Sequence, residues 1–122
     1  MSMTRRSAED LLENWGRWVW RGAGVPSYVS PSLALMRDNV ARDSAPAPVI
    51  TDEEAMLVDS IVARMWRRDP QMADCVRVYY CTGRTMHGVG QVVGLHRKKV
   101  AELLVAGRTY VEACLDMLAA AA

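Results

Sequence analysis

The sequence lacks any apolar run long enough to cross a membrane, although 51% of its 122 residues are hydrophobic. A membrane-spanning helix needs about 20 predominantly apolar residues in succession. Arg5 and Arg6 are followed within a turn or two by acidic and aromatic residues, so the apolar segment of a secretory signal peptide is also missing. These absences predict a cytoplasmic protein with no membrane partner.

Cysteine is scarce as well. Cys75, Cys81 and Cys114 are the three cysteines, and no two of them form a CxxC pair. A zinc site built from Cys81, His87 and a third ligand is conceivable, but scattered core thiols in a reducing compartment are the favoured interpretation. The sequence also has no nucleophile motif, phosphate-binding loop or metal-binding repeat. We therefore expect no enzymatic activity, no cofactor, no metal and no small-molecule substrate.

Signals for strands are missing, whereas signals for helix ends are frequent. Ser7 is a good N-cap for a helix from about Ala8 to Arg21, and Thr51 to Glu54 form a capping box. Asp69-Pro70 starts a further helix, Thr85 caps the next, and the last helix begins near Arg97. The pattern predicts an all-α fold, a small helical domain with a C-terminal helix-turn-helix and a long terminal helix.

Two segments differ in composition. Residues 1–50 combine a Trp-rich helix with a loop rich in Gly and Pro, and residues 51–122 carry apolar stripes at helical spacing. We expect residues 51–122 to form a helical DNA-binding domain whose core closes by itself. Trp15 and Trp18 are interpreted as aromatics that dock on this core, whereas Trp20 points elsewhere and is a candidate partner contact.

Charge is distributed unevenly along the chain. Residues 1–60 hold six Arg and nine Asp or Glu, a net charge of −3, whereas residues 61–122 hold nine Lys or Arg and five Asp or Glu, a net charge of +4. No carboxylate lies between Asp74 and Glu102, but that interval holds five cations: Arg77, Arg84, Arg97, Lys98 and Lys99. A cationic surface of this kind suits a phosphate backbone. For Arg64, Arg67 and Arg68, DNA contact and compensation of the helix dipole are equally good explanations.

The interval 85–106 has the pattern of a helix-turn-helix. Met86, Val89 and Val93 share one face of a short first helix, Gly90 is small where the two helices must approach, and Gly94 occupies the turn. Val100, Leu103 and Leu104 then hold the second helix against the first. This motif predicts binding of double-stranded DNA in the major groove.

The second helix of the motif would carry the contacts to DNA. We predict that Arg97, Lys98 and Glu102 read bases, because Arg and Lys can donate to guanine and Glu can accept from cytosine. His96 and Lys99 are placed nearer the phosphate backbone, and Arg84 and Thr85 complete the predicted DNA-binding set. The alternative is that all the cations contact phosphates only.

Several stretches in order resemble the phage antitermination protein Q family, of the type found in phage 21 rather than in lambda. The matching residues are Leu12-Glu13-x-Trp15-Gly16-x-Trp18, Ile50-Thr51-Asp52-x-x-Ala55, Arg67-Arg68-Asp69-Pro70, Val78-Tyr79-Tyr80 and Gly94 to Val100. The last third of the chain also resembles the helix-turn-helix of sigma-factor region 4. The internal Gly88 and Gly90 depart from the helix formers that are usual in the first helix of such motifs.

The resemblance implies a late-gene switch in the cytoplasm of a bacterial host. Proteins of this kind bind DNA beside a phage late promoter, engage paused RNA polymerase and suppress termination at its RNA exit channel. The implied partners are double-stranded DNA and bacterial RNA polymerase, with or without its sigma factor. By elimination, the candidate polymerase-facing residues are Trp20, Tyr28 and Arg37. The alternatives are a sequence-specific DNA-binding regulator or sigma-like factor without antitermination activity, and a protein-interaction module that does not bind DNA.

Overall fold

The computed structural model describes residues 6–21 and 46–121, and this part of the chain contains five α-helices and no strand. In chain order they are α1 (Ala8–Trp20), α2 (Asp52–Arg68), α3 (Pro70–Thr82), α4 (Met86–Val93) and α5 (Arg97–Ala121). The predicted all-α class and the long terminal helix are confirmed. Within the described ranges, no helix is both long enough and apolar enough to cross a membrane.

The helix ends lie where the capping residues predict them. The Ser7 hydroxyl accepts the Asp10 N–H, and Thr51 and Glu54 form both halves of the capping box. Asp69 caps α3 by accepting the Met72 N–H, and Pro70 occupies the first turn. Gly83 ends α3 in the left-handed conformation at φ 73°, where glycine carries no steric penalty. Local side-chain chemistry therefore determines these ends independently of the packing.

Helix α3 is the central element, because it packs against each of the other four helices. Cys75, Val76 and Val78 on it are completely buried, as are Leu12 and Trp15 of α1. Val58 and Met65 of α2 and Leu104 and Val111 of α5 belong to the same continuous core. The core is thus one cluster to which α1 contributes as fully as α2 and α5 do.

The docking of α1 is close and is reinforced by polar contacts. A Cβ atom on Gly16 would lie 1.9 Å from the Tyr80 carbonyl oxygen, so only glycine permits this crossing of α1 and α3. The Trp18 indole N–H donates to Asp52 at 3.0 Å, and the buried Asn14 accepts the Val49 N–H at 2.8 Å. Among the described residues, the core therefore has no boundary at residue 50, and whether residues 51–122 form a core by themselves stays a prediction.

Trp20 also differs from its predicted position. Its exposed fraction is 8%, so it is buried and does not offer an aromatic anchor to a partner. The helix face that carries Trp15 and Trp18 is broader than the sequence interpretation assumed, and it extends to the last residue of α1. Tyr28 and Arg37, the other two candidates for polymerase contact, lie outside the described residues.

A polar cluster joins α1, α3 and α5. The Tyr80 hydroxyl donates to Glu9, and Arg108 donates to the Tyr80 oxygen at 3.4 Å and lies 3.5 Å from a Glu9 carboxylate oxygen. Burial is the main cause that raises the pKa of Tyr80 above its usual range; the hydrogen bond to Glu9 adds to the shift, and Arg108 opposes it. The neutral hydroxyl is thus held as a hydrogen-bonding link between the three helices.

The three cysteines are free thiols that lie in or beside the core. Cys75 and Cys81 are buried, and Cys114 is partly buried. Burial raises the pKa of the Cys75 thiol to about 11, and the nearby Asp74 and Asp69 add to the shift. In residues 6–21 and 46–121 no three His, Cys, Asp or Glu side chains come together as a metal site.

We predict that Gly16→Ala destabilises the whole domain. The added methyl group would overlap the Tyr80 carbonyl, which belongs to the backbone of α3 and cannot rotate away. Overpacking of this kind costs roughly 1–3 kcal/mol. Urea unfolding followed by tryptophan fluorescence measures the change, and unchanged stability would show that α1 does not need this close approach.

Candidate nucleic-acid interface

Two capped helices, α4 and α5, meet at a short connection. The Thr85 hydroxyl accepts the Gly88 N–H at 3.1 Å and so caps the start of α4. Gly94 ends α4 at φ 77°, and its N–H and that of Leu95 both donate to the Gly90 carbonyl, at 2.8 and 2.9 Å. This left-handed cap reverses the chain and leads into α5 within three residues, Gly94 to His96.

The two internal glycines of α4 have different roles. A Cβ atom on Gly90 would lie 2.3 Å from the Leu95 carbonyl oxygen, so Gly90 allows the connection to fold back on α4. The sequence had indicated that Gly90 allows a close approach of the second helix. In the structure, the close approach is made by the connection instead. A Cβ atom on Gly88 would make only ordinary contacts of 3.4 Å and more, with Arg84 and Thr85. Only Gly90 is therefore required by packing.

The inner face of α4 is narrower than predicted. Val89 is completely buried, and Val92 and Val93 pack partly against the core, but Met86 is 36% exposed. Met86 belongs to the first turn, which projects beyond the other helices. Helix α5 covers the inner face with Val100, Leu103 and Leu104, as predicted.

The start of α5 presents an exposed cationic surface. His96, Arg97, Lys98 and Lys99 are all exposed, and the first turn of α5 contains no acidic residue. Cations destabilise a helix start, because the helix dipole is positive there. Acidic residues at a helix start are stabilising, and α1 and α2 have them: Glu9 and Asp10 in the first turn of α1, and Asp52 to Glu54 in the first turn of α2. An anion bound at the start of α5 would resolve the conflict.

His96 is engaged with the backbone of its own helix. Its Nδ1 accepts the Lys98 N–H at 3.1 Å, and its carbonyl accepts the Val100 N–H at 3.0 Å. His96 therefore acts as the N-cap of α5. In a neutral ring whose Nδ1 accepts, the proton resides on Nε2, which leaves one donor on an exposed side chain.

Glu102 and Lys99 are near each other on the outer face of α5. Their charged groups are 4.0 Å apart, and both side chains are largely exposed, at 73% for Glu102 and 51% for Lys99. An exposed pair at this distance contributes little to stability, so each side chain can leave its partner for another contact. The predicted roles of the two residues in DNA binding stay predictions.

Arg77, which the sequence placed among the surface cations, is buried instead. Arg77 is 1% exposed and lies within α3, so it does not contribute to a surface that could meet a phosphate backbone. Residues 75–78 make one complete turn of α3, and all four are buried, so no side of this turn faces solvent. Arg84 is half-buried between α3 and α4, and its Nε atom is buried without a hydrogen-bond partner among the described residues.

The structure also adds two residues that sequence reasoning missed. A hollow of about 600 Å³ lies beside the connection, and its lining includes His87 and Gln91 from α4 and His96 and Arg97 from the start of α5. His87 and Gln91 are exposed and four residues apart, which puts them on one side of α4. That spacing, opposite Val89, is the signal that could have identified them.

The architecture and surface define a small all-helical protein with an exposed cationic helix start. The chain belongs to the phage antitermination protein Q family, whose sequence profile matches residues 5–121. It is therefore a phage antitermination protein in the general sense of that family, and the resemblance seen in the sequence is confirmed at this level.

Two curated relatives agree with the family assignment. The chain is 25% identical over 113 residues to antitermination protein Q of Escherichia phage 933W, and the match covers 93% of this chain and 78% of the relative. Antitermination protein Q of Enterobacteria phage VT2-Sa matches with the same identity and coverage. No solved structure matches the chain significantly.

We predict opposite effects of alanine at the two glycines of α4. Gly88→Ala should stabilise the protein by up to about 1 kcal/mol, because alanine is the better helix former and the site has room. Gly90→Ala should destabilise it, because the methyl group would overlap the Leu95 carbonyl. Thermal unfolding of the two variants provides the matched comparison. Equal shifts of the two melting temperatures would contradict the distinct roles of these residues.

Proposed function

We propose that this protein is a DNA-binding transcription antiterminator. In this proposal α4 and α5 form a helix-turn-helix whose second helix, α5, enters the major groove, and the bound protein modifies RNA polymerase so that terminators are read through. The site of action is the cytoplasm of the bacterial host, and the activity is that of a binding protein rather than an enzyme. Family membership supports the antitermination part of the proposal.

The observation that carries the DNA-binding part is the cationic start of α5. Three exposed cations in succession, Arg97 to Lys99, stand at a helix end that disfavours them. Local rules of stability are most often broken where a protein has a function to perform. The phosphates of DNA would turn this unfavourable arrangement into a favourable one, since a helix start and its cations both attract anions.

The same geometry supports a division between base contacts and phosphate contacts. Arg97 and Lys98 stand at the exposed start of α5, from which a recognition helix reaches base edges. The accepting Nδ1 of His96 leaves its Nε2 proton available for a phosphate oxygen. Lys99, which is paired with Glu102, is the second proposed phosphate contact.

We predict that Arg97→Ala relaxes base preference, whereas Lys99→Ala does not. A duplex selected by the wild-type protein from a random-sequence pool supplies the binding sequence. Loss of a base contact should cost about 1–3 kcal/mol at one position. Loss of a phosphate contact should weaken all sequences alike, as for Lys99→Ala. Binding measured on a panel of single-base variants separates the two, and an unchanged preference in Arg97→Ala would remove Arg97 from base recognition.

DNA affinity should also fall steeply with salt. About four phosphates would be neutralised by the four cations Arg84, Arg97, Lys98 and Lys99. Release of their counterions gives a slope of roughly −3.5 when the logarithm of the binding constant is plotted against the logarithm of the salt concentration. A titration of binding against salt concentration measures this slope. A slope near zero would leave the cationic surface without a role in binding.

Antitermination itself is tested by transcription of a template that carries the selected sequence upstream of a terminator. The wild-type protein should raise readthrough on this template but not on one with a scrambled sequence, and Arg97→Ala should lose the effect. Comparison of readthrough with DNA binding for the same variants shows whether the two activities are linked. DNA binding without any gain in readthrough would identify a DNA-binding regulator instead.

A further inference from the structure

A second cationic feature lies between α1 and the end of α3. It is a cleft of about 220 Å³ lined by Glu13, Arg17, Tyr79, Tyr80, Gly83 and Arg84. Arg17 comes from α1, and Arg84 comes from the connection between α3 and α4. The two arginines thus meet at one cleft although they are far apart in sequence, because Gly16 brings α1 against the backbone of Tyr80.

Both arginines have donors to spare. The Arg17 guanidinium makes one long hydrogen bond, at 3.4 Å, to the Asn14 amide oxygen. The Nε atom of Arg84 is buried without a hydrogen-bond partner in the described part of the chain. A guanidinium carries five N–H donors in a fork that matches the oxygens of phosphate. In the described part of the chain, most donors of Arg17 therefore have no hydrogen-bond partner, and Arg84 brings a second guanidinium to the same cleft.

The position of the cleft relative to α5 matches the dimensions of DNA. Helix α4 has eight residues, which corresponds to a length of about 12 Å. Arg84 lies two positions before the first residue of α4, and Arg97 lies four positions after its last residue. The major groove is also about 12 Å wide. If the start of α5 occupies the groove and α4 runs across it, the length of α4 would bring its opposite end to the phosphates at the groove edge.

We propose that Arg17 and Arg84 form a phosphate clamp, in which the cleft between α1 and α3 holds the DNA backbone beside the groove that α5 enters. The inference rests on the proposed function and extends it, because it makes α1 part of the DNA-binding surface. Tyr79 lies at the cleft with its ring edge-on to that of Tyr80, at a centroid distance of 5.0 Å. Glu13 is the one carboxylate in the lining, and it opposes an anion there.

The clamp is tested with Arg17→Gln, Arg84→Gln and the double variant, on the duplex selected by the wild-type protein. Each single substitution should reduce the steepness of the log–log salt dependence by about 0.9, and the double substitution by about 1.8. Base preference should be unchanged. When the salt concentration is raised from 50 to 200 mM, the affinity of the wild-type protein should therefore fall about threefold more than the affinity of each single variant. Glu13→Gln should raise affinity, because it removes the opposing charge.

Two controls separate loss of charge from loss of fold. Arg17→Lys keeps the charge and should keep the wild-type slope. Arg67→Gln removes an exposed cation at the end of α2, which joins the opposite end of α3 from the cleft, and the clamp requires a larger change of slope in Arg17→Gln and Arg84→Gln than in this variant. Thermal unfolding shows whether each variant is folded at the temperature of the assay.

The outcomes distinguish the clamp from the proposed function as a whole. If the wild-type protein does not bind duplex DNA, the proposed function fails. If it binds with a steep slope and Arg17→Gln and Arg84→Gln behave like Arg67→Gln, the clamp is overturned and Arg84 leaves the proposed DNA-binding set, whereas the rest of the proposed function stands. Loss of affinity for single-stranded RNA, with the wild-type slope kept on duplex DNA, would also overturn it in favour of an RNA-binding cleft.

Discussion

The contact between Gly16 and the Tyr80 carbonyl is the constraint on which the rest of the structure depends. It lets α1 reach the backbone of α3, which, like α5, packs against all the other helices. Burial of Leu12 and Trp15 follows from this approach, and so does the link from Glu9 through Tyr80 to Arg108 on α5. Gly83, which ends α3, is three residues beyond Tyr80, so the contact with α1 lies next to the connection that leads to α4.

Stability and binding place opposite demands on the helix starts of this protein. Acidic residues follow the N-caps of α1 and α2, in agreement with the helix dipole, and these helices form the core. Helix α5 begins with Arg97, Lys98 and Lys99 and has only a histidine cap to satisfy its first amides. Its attachment to the core by Val100, Leu104 and Val111 compensates for this start, because complete burial of each apolar side chain contributes about 1.5–3 kcal/mol.

Sequence reasoning succeeded where local chemistry decides the structure. Ser7, Thr51, Asp69, Thr85 and Gly94 indicated the helix ends, because a cap acts within a few residues. It predicted that Trp15 and Trp18 dock on the core, but it failed for Trp20 and Arg77, whose burial depends on helices distant in sequence. In the candidate interface, the exposed cations at the start of α5 were predictable from charge alone. The spacing of His87 and Gln91 could have identified them as well, but the cleft at Arg17 required knowledge of how α1 is placed.

The length of α5 has a geometric consequence. Its 25 residues correspond to about 37 Å, which is close to the length of one turn of B-DNA, about 34–36 Å. At its far end, Met117 and Leu118 expose apolar side chains, whereas Arg97 and Lys98 stand at the other end. The helix is thus a rigid spacer whose ends have different chemistry. One straight element therefore holds two surfaces of different chemistry about 37 Å apart.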